Sequence, residues 1–569
     1  MRIRVILAAA LAVLTVLSFG ADAGPIAGTA SLSGAVQAPK AFQAAQVHLM
    51  NVDKNVLFMV WTAGGRYQAI NLFPGRYEVS VRKAGLAADP QTIVLEPGAS
   101  KQLDFSLREQ AAQPVRQGEF GFTSSVSGNV KLVSYDELYP PEPGRALLEK
   151  QCMYCHGRNF FPVKQYPEPT WNTFIDVMLG IGASGERGAS ASGDRAAMIA
   201  PGTLSGADRQ TILAYLTKHF GTASERRGLR MDAAFPVDEA ALGKAMYVEY
   251  YLPLDKQLDA ANKQRRTQEP HFDPQGNVWY TDRSVPNRIG RVDPRTGEVK
   301  DWMMPDPKGD PHGLTVDRDG QVFWAETVGF HLGRLDPATG SMIRYPMDST
   351  GQRKGRGHSP VTDSKQNVWF TVIGGDMLGK WDRQTGKSTV WKVPTEGAAP
   401  YGIALDKDEN VWFAEFRRCK IGKFEPKTEK FTEYEAPTQP CTIRRLGIDS
   451  TGYVWYGGFN NGKLGRIDPK SGAIKEYDVP MPFSEPYDVW PDRRDNIWIS
   501  DGGQGGALIR FEPKTERFTY YPTPQITDQP KLAITREGAV WYTPRSSVKA
   551  AAGVLYPDVT TMTTLGAYE

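Results

Sequence analysis

The sequence predicts a multidomain, mainly β protein: an N-terminal β-sandwich, a small all-α domain, and a C-terminal seven-bladed β-propeller. Three observations lead there. Aromatic marks recur at nearly constant spacing over the last 300 or so residues. Short alternating runs broken by Gly and Pro fill the first hundred. Between the two lies a stretch of helical spacing around Cys152-Met153-Tyr154-Cys155-His156. The chain has 569 residues, enough for three domains, with 57 glycines, 41 prolines and ordinary apolar and charged content. A net charge of +3 on so long a chain argues against nucleic-acid binding.

Residues 1–23 read as a secretory signal. Arg2 and Arg4 form its basic start, Val5 to Leu17 its apolar core, and Ala21-Asp22-Ala23 its cleavage site. The apolar run is short for an anchor and no later segment could span a bilayer, so a periplasmic or otherwise exported protein is expected.

Residues 24–108 contain six expected strands, at 31–36, 46–50, 58–62, 67–71, 77–81 and 102–106. The run from Thr62 to Val79, with Gly64-Gly65 and Pro74-Gly75 at its turns, resembles the carboxypeptidase regulatory-like family. That resemblance implies a structural or interaction module without catalytic residues. Residues 109–139 read as a linker rich in Gln, Ser and Gly.

The domain expected at 140–222 is organised by residues 152–156. Two thiols three positions apart, followed at once by a histidine, form a c-type haem attachment site: Cys152 and Cys155 supply thioethers and His156 the proximal ligand. Helices are expected at 144–151, 170–179 and 205–220, the last capped by Ser205 with Asp208 three positions on. The arrangement resembles a small class I cytochrome c. A methionine on the other side of the iron comes from Met178, which the Trp171-to-Met178 pattern favours, or from Met198, in the loop before Pro201. Each is otherwise an ordinary core methionine.

Residues 223–267 form a second linker. In it, Val248 to Pro253 resembles the outer strand of a blade, and pairing with the last blade would close the ring. From 268 to 569 the marks Trp279, Phe323, Trp369, Trp412, Trp455, Trp498 and Trp541 stand 44, 46, 43, 43, 43 and 43 residues apart. With four short strands per unit, this period signals seven blades. The repeated Asp-x-x-x-Asn-Val-Trp-Phe and Ile-Gly-Arg-x-Asp-Pro motifs resemble the virginiamycin B lyase (streptogramin lyase) family.

Positions facing the channel follow from the period. Eleven residues before each mark stand Gln268, His312, His358, Tyr401, Arg444, Tyr487 and Pro530. Three residues after stand Asp282, Glu326, Val372, Glu415, Gly458, Asp501 and Pro544. The lyase resemblance implies acid/base chemistry and a divalent metal such as Mg, with His312, Glu326 and His358 as the candidate catalytic residues. The pattern is partial, because Val372 replaces the acid paired with His358 and Tyr401 the histidine paired with Glu415. His312, Glu326 and His331, joined by His358, compose a candidate second metal site; the alternative is a set of hydrogen-bonding residues around a wet channel. Tyr401, Arg444, Tyr487 and Glu415 are candidate substrate-binding residues, and Arg444 with Arg445 either holds an anion or pairs with Glu415. Cys419 and Cys441 either form a disulfide or remain thiols.

Single-electron transfer by covalently bound haem c is the expected activity, making the protein a haem-dependent oxidoreductase if it is an enzyme. The propeller would bind a small-molecule substrate or a periplasmic redox partner. The alternatives are a metal-dependent lyase and a non-catalytic scaffold.

Overall fold

The computed structural model describes residues 26–110, 131–158, 160–162, 164–179, 204–225, 227–229, 236–253, 265–353, 355–502, 506–525, 531–544 and 549–568. Residues 1–23, expected to be a secretory signal, Met198 and Pro530 lie outside the described residues. The protein is mainly β and multidomain, with an N-terminal β-rich region and C-terminal blade-like sheets. Among the described residues, no helix is long and apolar enough to cross a membrane.

Six four-stranded antiparallel sheets follow one another from Thr267 to Pro522. The innermost strand of each neighbours that of the next, and Leu532–Ile534 neighbours Thr267–Phe272, so the ring closes. Repeated chemistry shapes each blade. The aspartate after the innermost strand turns the chain: in the fourth sheet Asp406 accepts from the N–H groups of Asp408 and Asn410 at 2.9 Å. It also accepts from Asn410 Nδ2 at 2.9 Å and Trp412 Nε1 at 3.0 Å. The Asp–Trp contact recurs at Asp273–Trp279, Asp363–Trp369, Asp449–Trp455 and Asp492–Trp498. In the second sheet Phe323 has no N–H to give, and Asp317 instead accepts from Arg383 Nη1 of the next blade at 2.6 Å. The glycine of Ile-Gly-Arg has an equally local cause. A Cβ at Gly422 would lie 2.2 Å from the Phe413 ring, and one at Gly465 2.0 Å from Tyr456.

The seventh blade is built differently. Leu532–Ile534, Val540–Tyr542 and Ala551–Tyr556 provide three strands, and Met246–Tyr251, from before the propeller, provides the fourth. This strand is not an edge: its other side pairs with Val56–Trp61 of the N-terminal region. The blade thus continues through Gln46–Asn51, Gly75–Arg82 and Gln91–Leu95 as one eight-stranded sheet. Six buried residues explain why the strand carries no polar face. A second sheet, with Ala30–Gln37 between Arg66–Leu72 and Ser100–Gln102, shares one core with it, including Leu32, Leu49, Phe58, Tyr77, Val248 and Trp541.

Two expectations need adjustment here. Gln91–Leu95 is an additional strand, and the strand expected at 102–106 is broken into Ser100–Gln102 and Phe105–Ser106. At the break Asp104 Oδ1 accepts the Ala35 N–H at 2.8 Å, replacing a ladder bond.

The described residues between 131 and 229 surround a separate core containing Leu148, Phe161, Trp171, Ile175, Ile212 and Leu216. Pro143–Leu148, Glu149–Met153 and Tyr154–His156 run on as one helical stretch, its middle turn widened to π geometry. Glu168–Leu179 and Gly206–Phe220 follow, the latter started by a reciprocal Ser205–Asp208 capping box. The segment is not all helical: Lys131–Val133 pairs in parallel with Arg227–Leu229, joining its two ends.

Candidate functional site

The innermost strands of the six four-stranded blades shift register where they approach the axis: between Gln268 and His271, Pro311 and Leu314, Gly357 and Pro360, Pro400 and Ile403, Ile443 and Leu446, and Pro486 and Asp488. Such bulges re-aim side chains. They bring together five of the residues eleven before the marks: His312, His358, Tyr401, Arg444 and Tyr487. The His312 and His358 rings lie 3.8 Å apart between centroids, and His358 and Tyr401 lie 3.6 Å apart. The Tyr401 and Tyr487 hydroxyls are 2.7 Å apart, and Arg444 Nη1 donates to Tyr401 Oη at 3.2 Å. The Arg444 guanidinium also lies 3.9 Å from the Phe459 ring centre and 4.6 Å from that of Tyr487.

Of the layer beneath, sequence reasoning found only Arg445. Glu269, Arg445, Asp488 and Lys531 form a buried charged network. Glu269 bridges Arg445 at 2.7 Å and Lys531 at 2.9 Å, and Lys531 Nζ lies 3.1 Å from His312 Nδ1. Arg445 also donates to Ser359 Oγ at 3.1 Å, and Asp488 accepts the Leu532 N–H at 2.8 Å. Counting back ten positions instead of eleven gives this set, a signal hidden because a bulge presents two adjacent residues to the axis. Burial pushes the Lys531 ammonium down to about 7 and the Asp488 carboxyl up to about 6. Burial, with the charges of His358 and Lys531, holds His312 well below the usual histidine range. For Glu269 burial acts upward, and the Arg445 and Lys531 charges outweigh it to hold the carboxyl well below its ordinary value.

The carboxylates three residues after the marks do not join this ring. They end the second strands, which lie outside the first, and Glu326, Asp282 and Asp501 each find a local partner. Glu326 is held by Arg344, whose Nη2 approaches Oε2 at 2.6 Å, and His331 Nδ1 is 3.9 Å from the same carboxylate. Asp282 pairs with Arg265 at 2.7 Å, and Asp501 accepts the Glu485 N–H at 2.7 Å. Glu415 is fully buried, and burial with the nearby Glu433 charge pushes its carboxyl up to about 8. Arg445 therefore pairs with Glu269, not Glu415. His312 and His358 form one pair, Glu326 and His331 another. Among the described residues, no group of three or more His, Cys, Asp or Glu is disposed to hold a metal ion.

The helical segment sits on the face where these residues emerge. Tyr154 Oη donates to the Phe416 carbonyl at 3.1 Å, and Thr442 Oγ1 donates to the Tyr154 carbonyl at 3.1 Å. The Arg158 N–H donates to Glu485 at 2.9 Å, its Nη2 to the Asn460 carbonyl at 2.9 Å, and Tyr135 stacks on Phe483. Cys152 and His156 stand one turn apart on the helical stretch, with Cys155 between them. Rings of Phe160, Phe174 and Phe161 lie 4.1, 5.4 and 6.0 Å from His156. Met178 is half-buried near the end of Glu168–Leu179. Cys419 and Cys441, beside this seat, form a disulfide with Cα atoms 5.1 Å apart.

Residues 256–511 match the Virginiamycin B lyase family. The C-terminal part is a virginiamycin B lyase-like propeller. A streptogramin B lyase structure is 23% identical, with 55% of this chain and 97% of that one covered and a TM-score of 0.49. Virginiamycin B lyase from Staphylococcus aureus is 21% identical over 54% of this chain and 99% of its own, with a TM-score of 0.48. The WD40 propeller domain of Doa1 is 9% identical, covering 53% and 96%, with a TM-score of 0.43. No curated protein matches significantly. The lyase-like propeller of this chain carries its helical segment on the channel face.

Proposed function

We propose that the protein is an exported haem c protein that transfers single electrons, and that its lyase-like propeller binds the substrate or redox partner. The observation that carries this reading is the seating of the Cys152–His156 turn on the propeller face where the channel residues emerge. The residues present suit the group. Two cysteines and a histidine at the attachment spacing stand on one helical stretch, and apolar rings surround the imidazole. Cys152 and Cys155 would hold the porphyrin, and His156 with Met178 or Met198 would ligate the iron. When bound, the haem supplies a one-electron iron couple. The chain's own residues keep the site apolar and place it beside the Tyr401, Tyr487 and Arg444 cluster. Export is supported by the N-terminal sequence pattern and agrees with the Cys419–Cys441 disulfide.

The test is production in a host that matures c-type cytochromes. Wild type should gain the mass of one haem resistant to denaturation, and Cys152→Ala with Cys155→Ala should lose it. Anaerobic addition of candidate donors should then reduce the haem of wild type; a protein that never acquires haem refutes the reading.

The family match favours a second reading, a lyase acting through the His312–His358 pair. Two observations weigh against it: Arg344 engages Glu326, and the helical segment covers part of the channel face. Opening of a streptogramin B ring by wild type and by His156→Ala alike would select the lyase.

A further inference from the structure

The turn after His156 is completed by residues of the propeller. Gly157 has a φ of +72°, and a Cβ there would meet the Glu485 carboxylate at 2.5 Å. The next N–H, that of Arg158, donates to that carboxylate, and the Arg158 side chain reaches both Glu485 and the Asn460 carbonyl. Glu485 is itself buried and fixed by its own N–H to Asp501. On the other side of the motif, the Phe416 ring packs edge-on against Tyr154 with centroids 6.0 Å apart. The same ring stacks on Tyr401 of the channel at 4.8 Å and 17°.

We infer that Glu485 and Phe416 are positioning residues for the haem-attachment turn: the propeller, 260 residues or more further along the chain, sets the orientation of His156. The inference rests on the haem reading proposed above. Its physical basis is the control that outer partners exert over a metal-ligating histidine, whose ring orientation and basicity follow the groups fixing its surroundings. The helix ends at Gly157, whose N–H donates to the Met153 carbonyl at 2.9 Å, and the direction the chain takes beyond that bond is set from outside the helix. Here Glu485 defines it through one backbone N–H and one guanidinium. Phe416 holds the other flank and is shared with the channel, so the haem site and the propeller cluster have a common wall.

The experiment uses the full-length haem-loaded protein and reads the ferric electron paramagnetic resonance g-values and the midpoint potential. Glu485→Ala should move the g-values and change the reduction equilibrium about tenfold, or about 59 mV for one electron. Glu485→Gln keeps an oxygen to accept the Arg158 N–H, so its g-values should return towards wild type. Phe416→Leu removes only the ring contact and should move the g-values, which serves as the test if Glu485→Ala does not accumulate folded. Unchanged g-values and potential in Glu485→Ala and Phe416→Leu, with haem fully attached, would overturn the inference. Wild type without covalent haem is a separate failure, seen as a missing mass increment, and removes the haem reading together with this one.

Discussion

The strand Met246–Tyr251 is the joint between the two β regions, and Tyr250 ties it to the first and last blades. The ring is 1% exposed and stacks on Trp541 with centroids 5.8 Å apart. Its hydroxyl donates to the Pro294 carbonyl of the first blade at 2.9 Å, while its backbone stands opposite Val56 on one side and Ala552 on the other. Tyr250→Ala removes a buried aromatic ring, which costs about 3–5 kcal/mol. Where amide exchange follows the opening equilibrium, each ~1.4 kcal/mol is tenfold, so protection should fall roughly 100- to 4,000-fold. The fall should appear together in Val56–Trp61, Met246–Tyr251 and Ala551–Tyr556, because one ladder runs through all three. Tyr250→Phe keeps the ring and leaves only the Pro294 carbonyl without its partner, a loss of about 1 kcal/mol. Hydrogen-exchange mass spectrometry distinguishes the two variants. Wild-type protection in Val56–Trp61 alongside loss in Ala551–Tyr556 would refute the claim that the three strands open as a unit.

Three further outcomes follow from buried charges and the disulfide. The unfolded Glu415 carboxyl releases its proton near 4.5 and the folded one near 8, so the folded state binds more protons between those values. Stability from this group therefore falls as pH rises through that window, by up to about 1.4 kcal/mol per unit, and Glu415→Gln should flatten the dependence in urea melts from pH 5 to 8. Arg344→Met leaves Glu326 buried without its cation and should cost about 3–5 kcal/mol in thermal denaturation, whatever the activity. Cys419→Ser with Cys441→Ser opens a 22-residue separation and should cost about 3 kcal/mol in the same assay, without loss of attached haem.

The propeller was legible because its repeat is local chemistry. Asp406 must sit six residues before Trp412 to bond its indole, and Gly422 must face the Phe413 ring, so a fixed spacing recurs wherever the blade does. The N-terminal strands were legible by alternation where they pair regularly. They were not where a side chain takes over a ladder bond, as Asp104 does. The union of Val56–Trp61 with Met246–Tyr251 has no sequence mark, since any buried apolar strand can receive a partner on either side.

The site was legible by half, and the missing half bears on the chemistry. Period-counting located His312, His358, Tyr401, Arg444 and Tyr487, because these stand at a constant offset from the marks. It misplaced Glu326 and Glu415, because a strand-end position in a blade's second strand looks along the sheet, to Arg344 or Glu433, and not to the axis. It also left out Glu269 and Lys531, which neutralise Arg445 and abut His312. A channel whose acids pair with internal cations does not present a free carboxylate beside its histidines. What it does present, on the side towards Phe416, is a row of neighbouring rings from His312 through His358, Tyr401 and Phe416, ending edge-on against Tyr154 within the Cys-x-x-Cys-His turn. That continuity gives the propeller a reason to carry the helical segment on this face, and it favours a shared function over two independent ones.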